Sequence, residues 1–207
     1  MEKTLREYLK KHKIKYKEHK HPAVFTVEES LKAGKQMPEV FHTKNLFLQD
    51  KDKNLFLVCM DAHERLDLKF LRQKLKTKKL SFASSEKLKE QLNLTPGSVS
   101  IFGMIHAKNV SLVIDKKVWE AKKVGFHPNI NTSTLELAHE SLERFVNSLN
   151  SEKLISNLCP KIIIRTDRTF SNPVKRQTII LTNITFYTII KTIRKCIRTT
   201  LPSRRIR

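Results

Sequence analysis

The feature that most constrains the fold is a pair of similar apolar runs flanking a short polar turn. Lys44-Asn45-Leu46-Phe47-Leu48 and Asn54-Leu55-Phe56-Leu57-Val58 stand on either side of Asp50-Lys51-Asp52-Lys53. Two such runs about a turn of this kind read as a β-hairpin, which commits the chain to at least one antiparallel strand pair. The surrounding elements must then pack on that pair.

Around the hairpin the periodicity changes repeatedly. Leu5, Tyr8 and Leu9 recur at helical spacing, so residues 2–12 predict an amphipathic helix. Lys15–His19 is a short polar strand candidate that ends at His21-Pro22. Thr26-Val27-Glu28-Glu29 fits a capping box, in which a Thr hydroxyl and a Glu three residues later satisfy free N–H groups, and a short helix is expected at Val27–Ala33. Leu68, Leu71 and Leu75 predict a helix with Asp67 as N-cap. Leu80–Ala83 predicts a strand, and Ser84 or Ser85 caps a helix carrying Leu88 and Leu92. Thr95-Pro96-Gly97-Ser98 is a turn. Strands are expected at Val110–Ile114, Val124–His127 and Thr132–Leu137, and Leu142, Phe145, Val146 and Leu149 mark a last helix. The irregular alternation predicts an α+β domain with a compact mixed, largely antiparallel sheet and flanking helices, rather than a regular parallel βαβ array.

The body is expected to end near Asn150, because the composition shifts there. Residues 151–207 contain no Gly, many Ile and Thr, 13 Lys/Arg and only two acids, Glu152 and Asp167. This reads as a basic C-terminal extension with little fixed order. The run from Thr178 to Ile190 and the basic cluster after it offer a contact to RNA or to an anionic membrane surface.

Charge points to the class of partner. The chain of 207 residues has 41 Lys+Arg against 20 Asp+Glu, a formal net charge of +21, of which the tail holds +11 and residues 1–150 the remaining +10. A polyanion is the first candidate partner, although a basic surface alone also occurs in proteins that bind none. Cys59, Cys159 and Cys196 form no pair at CxxC spacing, which argues against a disulfide scaffold and fits a reducing compartment. The N-terminus is charged from its second residue and lacks an apolar h-region, so a cytoplasmic protein without a secretory signal is expected. No apolar run reaches the length of a membrane span.

GxSxG, the P-loop, GxGxxG and HExxH are all absent, and no Cys/His set has zinc spacing, so neither a metal nor another cofactor is expected. Three polar islands remain. Lys44, opening an apolar strand in Thr43-Lys44-Asn45, is either a solvated edge charge or a point-charge clamp on phosphate. Thr95–Ser100 is either an ordinary turn or a loop whose Gly97 lets backbone N–H groups approach a carbonyl or sugar oxygen. Phe126-His127-Pro128 holds a histidine that is either satisfied in place or functional.

These islands fall within a recognisable order of motifs. His21-Pro22-Ala23-Val24-Phe25-Thr26-Val27-Glu28-Glu29 is followed by Thr43-Lys44-Asn45-Leu46-Phe47-Leu48, and then by Arg65-Leu66-Asp67-Leu68-Lys69 and Leu80-Ser81-Phe82-Ala83-Ser84. Thr95–Gly103 and Phe126–Thr132 complete the series. Over residues 1–149 the chain resembles the YbaK/prolyl-tRNA synthetase-associated domain family, on the side of the freestanding alanyl-tRNA(Pro) deacylases. The resemblance implies an editing domain that hydrolyses the ester of a mischarged amino acid on tRNA. Mischarged tRNA(Pro) is then the substrate, and prolyl-tRNA synthetase a candidate partner.

It also implies roles by position. Lys44 would engage the backbone of the terminal adenosine, with Gly97 facing the aminoacyl group and His127 in the pocket; these three form the implied catalytic set. Phe25, Thr26, Asn45, Ser98, Ile101 and Asn131 form the implied substrate-binding set. Two positions depart from the family pattern: Ile101 stands where the loop usually has proline, and Gly125 where relatives often carry a polar residue. The alternative is a catalytically inactive RNA-binding or synthetase-accessory module with the same fold.

Overall fold

The computed structural model describes residues 1–24, 26, 28–29, 32 and 37–159. In chain order the elements are α1 (Lys3–Lys11), β1 (Lys17–Lys20), β2 (Phe41–Asp50), β3 (Leu55–Asp61), α2 (Leu68–Lys74), β4 (Leu80–Phe82) and α3 (Ser85–Leu92). A 3-10 helix (Ile101–His106) follows, then β5 (Val110–Asp115), α4 (Lys116–Trp119), β6 (Lys123–Phe126), β7 (Ser133–Ala138), α5 (His139–Ser148) and β8 (Lys153–Ser156). The strands make one eight-stranded sheet in the order β1-β7-β6-β2-β3-β5-β8, with β4 paired to β2 beside this path. Pairs β1/β7, β6/β7, β2/β3 and β2/β4 are antiparallel; β2/β6, β3/β5 and β5/β8 are parallel. The mixed, largely antiparallel α+β sheet expected from the sequence is the architecture found.

The hairpin forms with the predicted turn, in which Asp50 organises the chain. Its Oδ1 accepts from the N–H groups of Asp52 and Asn54 at 2.9 Å, and its Oδ2 accepts from Asn54 Nδ2 and Thr77 Oγ1, also at 2.9 Å. A turn aspartate satisfying successive N–H groups is the mechanism by which such residues end strands.

β2 and β3 alternate between two apolar clusters. Phe47, Leu57 and Cys59 enter a large core shared with α1, α3, the 3-10 helix and α5, while Leu48, Val58 and Met60 enter a smaller one with Leu71 of α2 and Leu158. Phe102 packs edge-on against Phe126 and Phe145, with centroids 6.0 and 5.1 Å away. Edge-to-face pairs add about 0.5–1.5 kcal/mol each beyond area burial.

Three elements differ from the sequence reading. The 3-10 helix and α4 were not expected. Ile101-Phe102-Gly103-Met104 is buried on every side, so it carries no amphipathic period, and a Cβ on Gly103 would come within 2.6 Å of Leu94 Cδ1. α4 is four residues long and starts on a local cap, Asp115 Oδ1 accepting from the N–H of Lys117 at 2.9 Å. The third is β8, which continues the sheet past Asn150. Val113, Ile114 and Asp115 pair with Leu154, Ile155 and Ser156, and Leu158 is fully buried beyond them. The compact unit therefore runs from Met1 to Cys159, and the composition change at Asn150 is not its edge. The rest of the expected extension, including Thr178–Ile190, lies outside the described residues.

The capping box is present: Thr26 N donates to Glu29 Oε2 at 3.3 Å and Glu29 N to Thr26 Oγ1 at 3.2 Å. Most of the helix expected at Val27–Ala33 falls outside the described residues. Among the described residues, no helix is long and apolar enough to cross a membrane.

Candidate functional site

The site arises from how β2 is paired. One edge is bonded to β3 along most of its length. The other edge is shared: Phe41 and His42 pair with β6, and Leu48–Asp50 pair with β4. Between them, among the described residues, Thr43–Leu46 has no strand alongside. The diverging strands β6 and β4 leave a cleft on that stretch, and a cavity of about 160 Å³ lies there. Thr43, Lys44, Asn45, Gly97, Gly125 and His127 are among the residues lining it.

Each wall follows from a local rule. Thr43 Oγ1 donates to Gly125 O at 2.7 Å, tying β2 to β6 at the point where they part. Gly125 has no room for a side chain: a Cβ would lie 2.9 Å from Val40 Cγ1 and 3.0 Å from Thr134 Cγ2. The departure from the family pattern at Gly125 is thus a close approach of three cavity-wall segments. Thr95–Ser98 forms a β-turn with Pro96 second and Gly97 third; Gly97 has φ 86°, and Ser98 N donates to Thr95 O at 3.1 Å. That is the arrangement in which a type II turn favours Pro then Gly.

Lys44 turns toward the chain just beyond β3. Its Nζ donates to Ala62 O at 3.4 Å and to Glu64 O. Burial lowers its pKa from the ordinary lysine value, opposed by the negative charges of Asp61 and Glu64. Behind it lies a charged cluster: Lys117 Nζ donates to Glu64 Oε1, and Asp115 caps both α4 and the N–H of Leu158. Burial pushes Asp115 up, while for Glu64 the burial effect is outweighed by bonds from Cys159 and Lys117, leaving its carboxyl below the usual range. Burial and the neighbouring Glu64 raise the Cys159 thiol to about 12. Ligand atoms of Glu64, Asp115 and Cys159 lie within 4.8 Å of one another, a grouping no sequence spacing announced. The cation that this group calls for is already supplied by Lys117.

His127 is held in one tautomer. Its Nδ1 sits 3.0 Å from Ser133 O, and since a carbonyl only accepts, Nδ1 carries the proton. Burial lowers its pKa, and the ring of His21, 5.7 Å away, adds to this. The neutral ring thus offers Nε2 as an acceptor. Asn45 Oδ1 is buried with no partner among the described residues. A buried carbonyl left so costs about 1–3 kcal/mol, which points to a missing donor.

Not every residue assigned by resemblance reaches the cavity. Lys44, Asn45, Gly97, His127 and Thr26 line it. Ile101 does not: it is fully buried in the large core at the first position of the 3-10 helix, where Ser100 Oγ accepts from Phe102 N. Proline is well tolerated at a first helical position, so the family proline and Ile101 meet the same backbone requirement. Ile101 is a core residue, and its assignment to substrate binding is corrected. Ser98 spends its hydroxyl and N–H within its own turn, with Thr95 O 3.0 Å from Oγ, and lies outside the lining. Asn131 Nδ2 donates to Val24 O at 3.0 Å and Asn131 O accepts from Val24 N, so it fixes a wall segment from behind. Phe25 lies outside the described residues. Sequence reasoning missed Val24, Met37 and Thr134, apolar or small wall residues that carry no chemical signature.

Comparison with known proteins identifies the family. The family model for the aminoacyl-tRNA editing domain matches residues 21–145. Prolyl-tRNA editing protein ProX of Acetoanaerobium sticklandii is 39% identical over 137 residues, covering 65% of this chain and 83% of its own. Prolyl-tRNA synthetase associated domain-containing protein 1 of Danio rerio is 33% identical over 155 residues, covering 70% of this chain and 81% of its own. A solved structure of a candidate trans-editing enzyme for prolyl tRNA synthetase superposes with TM-score 0.60 at 16% identity, over 76% of this chain and 98% of that one, a likeness of fold. The chain belongs to the aminoacyl-tRNA editing domain family.

Proposed function

We propose that this protein is a trans-acting aminoacyl-tRNA deacylase that removes alanine from mischarged tRNA(Pro), working in the cytoplasm alongside prolyl-tRNA synthetase. The observation that carries the proposal is the convergence, on one small cavity at the open stretch of β2, of groups with unused bonding capacity. These are the buried Asn45 Oδ1, the neutral His127 ring with Nδ1 occupied, the exposed Gly97 turn and the half-buried Lys44 ammonium.

The chemistry asks little of the protein. Water adds to the ester carbonyl carbon, the bond to the ribose oxygen breaks, and that oxygen leaves with a proton as free amino acid and tRNA separate. An aminoacyl ester is already reactive, so positioning and stabilisation of the developing oxyanion suffice. Lys44 exchanges its backbone carbonyls for a phosphate of the terminal nucleotide, a partner that better offsets its lost hydration. The N–H of Gly97 faces the aminoacyl oxygen. That of Ser98 is already spent in the turn. Asn45 Oδ1 accepts from the substrate's ammonium or ribose hydroxyl, and His127 Nε2 accepts from the attacking water or that hydroxyl.

A cavity of about 160 Å³ suits a small side chain. Discrimination by a single methylene is about 1–3 kcal/mol, so rejection of proline rests on ring size and shape.

The test is to incubate the protein with Ala-tRNA(Pro), Cys-tRNA(Pro) and Pro-tRNA(Pro) and follow loss of each ester. Preferential loss of the alanine ester supports the reading. Salt-sensitive binding of tRNA with no ester hydrolysed would replace it with the inactive-module reading.

A further inference from the structure

Phe82 is the most exposed large apolar side chain among the described residues, at 66%, and neither cavity nor core accounts for it. It lies at the end of β4, directly opposite Leu48 of β2. Facing residues of an antiparallel pair project from the same side of the sheet, and side chains on one strand return to that side every second residue. Phe82 therefore shares a face with Leu48, Leu46 and Lys44. Lys44 lies four positions along β2 from that partner, about 13 Å at ~3.3 Å per residue. The next residue, Ala83, makes the last bond to β2, its N–H donating to Phe47 O at 3.0 Å, before the chain leaves and the open stretch begins. Phe82 thus marks one end of the opening and Lys44 lies within it.

The stretch of chain that carries Phe82 is cationic. Residues 69–89 contain eight Lys/Arg and one acid, Glu86. Lys76, Lys78, Lys79 and Lys89 are exposed, and none of them makes an ion pair among the described residues. An exposed aromatic ring within a lysine-rich stretch of chain is the combination that holds single-stranded nucleic acid: the ring stacks a base while the cations follow the phosphates.

We propose that Phe82 is a stacking platform for one of the unpaired nucleotides preceding the 3′-terminal adenosine of the charged RNA. With the terminal nucleotide at Lys44, the span to Phe82 is about four stacked nucleotides at ~3.4 Å each, the scale of the unpaired 3′ end of a tRNA. The inference rests on the deacylase reading for its substrate, but not for its test. It gives the face a direction: the strand enters over β4 and ends in the cavity beside β2.

The experiment compares wild type, Phe82→Ala and Phe82→Trp on two esters, alanylated full-length tRNA and alanylated adenosine, which lacks the upstream nucleotides. Affinity for uncharged tRNA is measured at fixed salt in parallel. Phe82→Ala is expected to raise KM for the charged tRNA about tenfold at nearly constant kcat, leave the alanylated adenosine unaffected, and weaken uncharged tRNA similarly. Phe82→Trp is expected to restore both. Unchanged RNA affinity in Phe82→Ala overturns the proposal. Loss of binding to prolyl-tRNA synthetase in that same variant would instead give Phe82 to a protein interface. Should wild type hydrolyse neither ester, the deacylase reading fails, while the uncharged-tRNA arm still decides the role of Phe82.

Discussion

Of two cavities among the described residues, the larger is the less equipped for chemistry. One of about 770 Å³ is lined by the end of α1, the 3-10 helix, the start of β5 and the turn into β8, including Tyr8, Lys11, His12, Asn109 and Glu152. Some of its polar groups satisfy one another, Tyr8 OH bonding Ser148 O at 3.2 Å and Ser111 Oγ donating to Glu152 Oε2 at 3.2 Å, and Ser151 Oγ is left buried without a partner among the described residues. The other, about 160 Å³, sits toward the opposite end of the central strands. There a buried acceptor is left over, a histidine is fixed in one tautomer, and a turn glycine sits at φ 86°. Volume measures what the elements fail to fill. A lone orphaned hydroxyl does not mark a site; an orphaned acceptor gathered with a tautomer-fixed histidine and a turn glycine at positive φ does.

That contrast can be broken by substitution. Lys44→Ala is expected to lower turnover of Ala-tRNA(Pro) by ~10²-fold, because misplacing the nucleotide misplaces the ester, with the melting curve little changed. Lys44→Arg should not recover it, since a planar fork cannot replace a point charge in a narrow cleft. Gly97→Ala should cost about tenfold in turnover and ~1 kcal/mol of stability, because alanine resists a φ of 86°. Thermal melts and single-turnover assays would separate the two effects. Asn45→Ala should lower turnover about fivefold while leaving stability level or raised, since it removes a buried acceptor with no partner. At the other end, Tyr8→Phe should cost about 1 kcal/mol of stability and leave turnover within about twofold. A larger kinetic effect there would dissolve the distinction between the cavities.

A pH series sharpens it further. Burial holds His127 below its usual value of 6.5, so as pH falls below that value the unfolded chain takes up a proton that the folded chain resists. The stability that this neutral histidine contributes is present above 6.5 and is lost as pH drops through the folded value. Melting temperature should therefore fall with acid in wild type and fall less in His127→Asn. Equal slopes would mean that His127 is not held neutral.

Local chemistry was legible in the sequence; non-local pairing was not. The hairpin, the Thr95–Ser98 turn and the Thr26–Glu29 box each rest on residues within a few positions of one another, and each is found. Lys44, Asn45, Gly97 and His127 could be singled out, yet the split edge that unites them depends on β6 reaching β2 across 82 positions, from Thr43 to Gly125. Ile101 belongs to the family motif by position but not to the cavity in space, because at the start of the 3-10 helix its side chain turns into the core. β8 was missed because half its residues are exposed and its pairing with β5 is parallel and distant.

The most direct test uses a non-hydrolysable, amide-linked alanyl-adenosine and maps backbone amide shifts on titration. The account predicts saturable shifts at Asn45, Gly97, Gly125 and His127, and none at Tyr8, Asn109 or Ser151. Shifts confined to that second group would place the ligand in the larger cavity and contradict the assignment of the site to the split edge of β2.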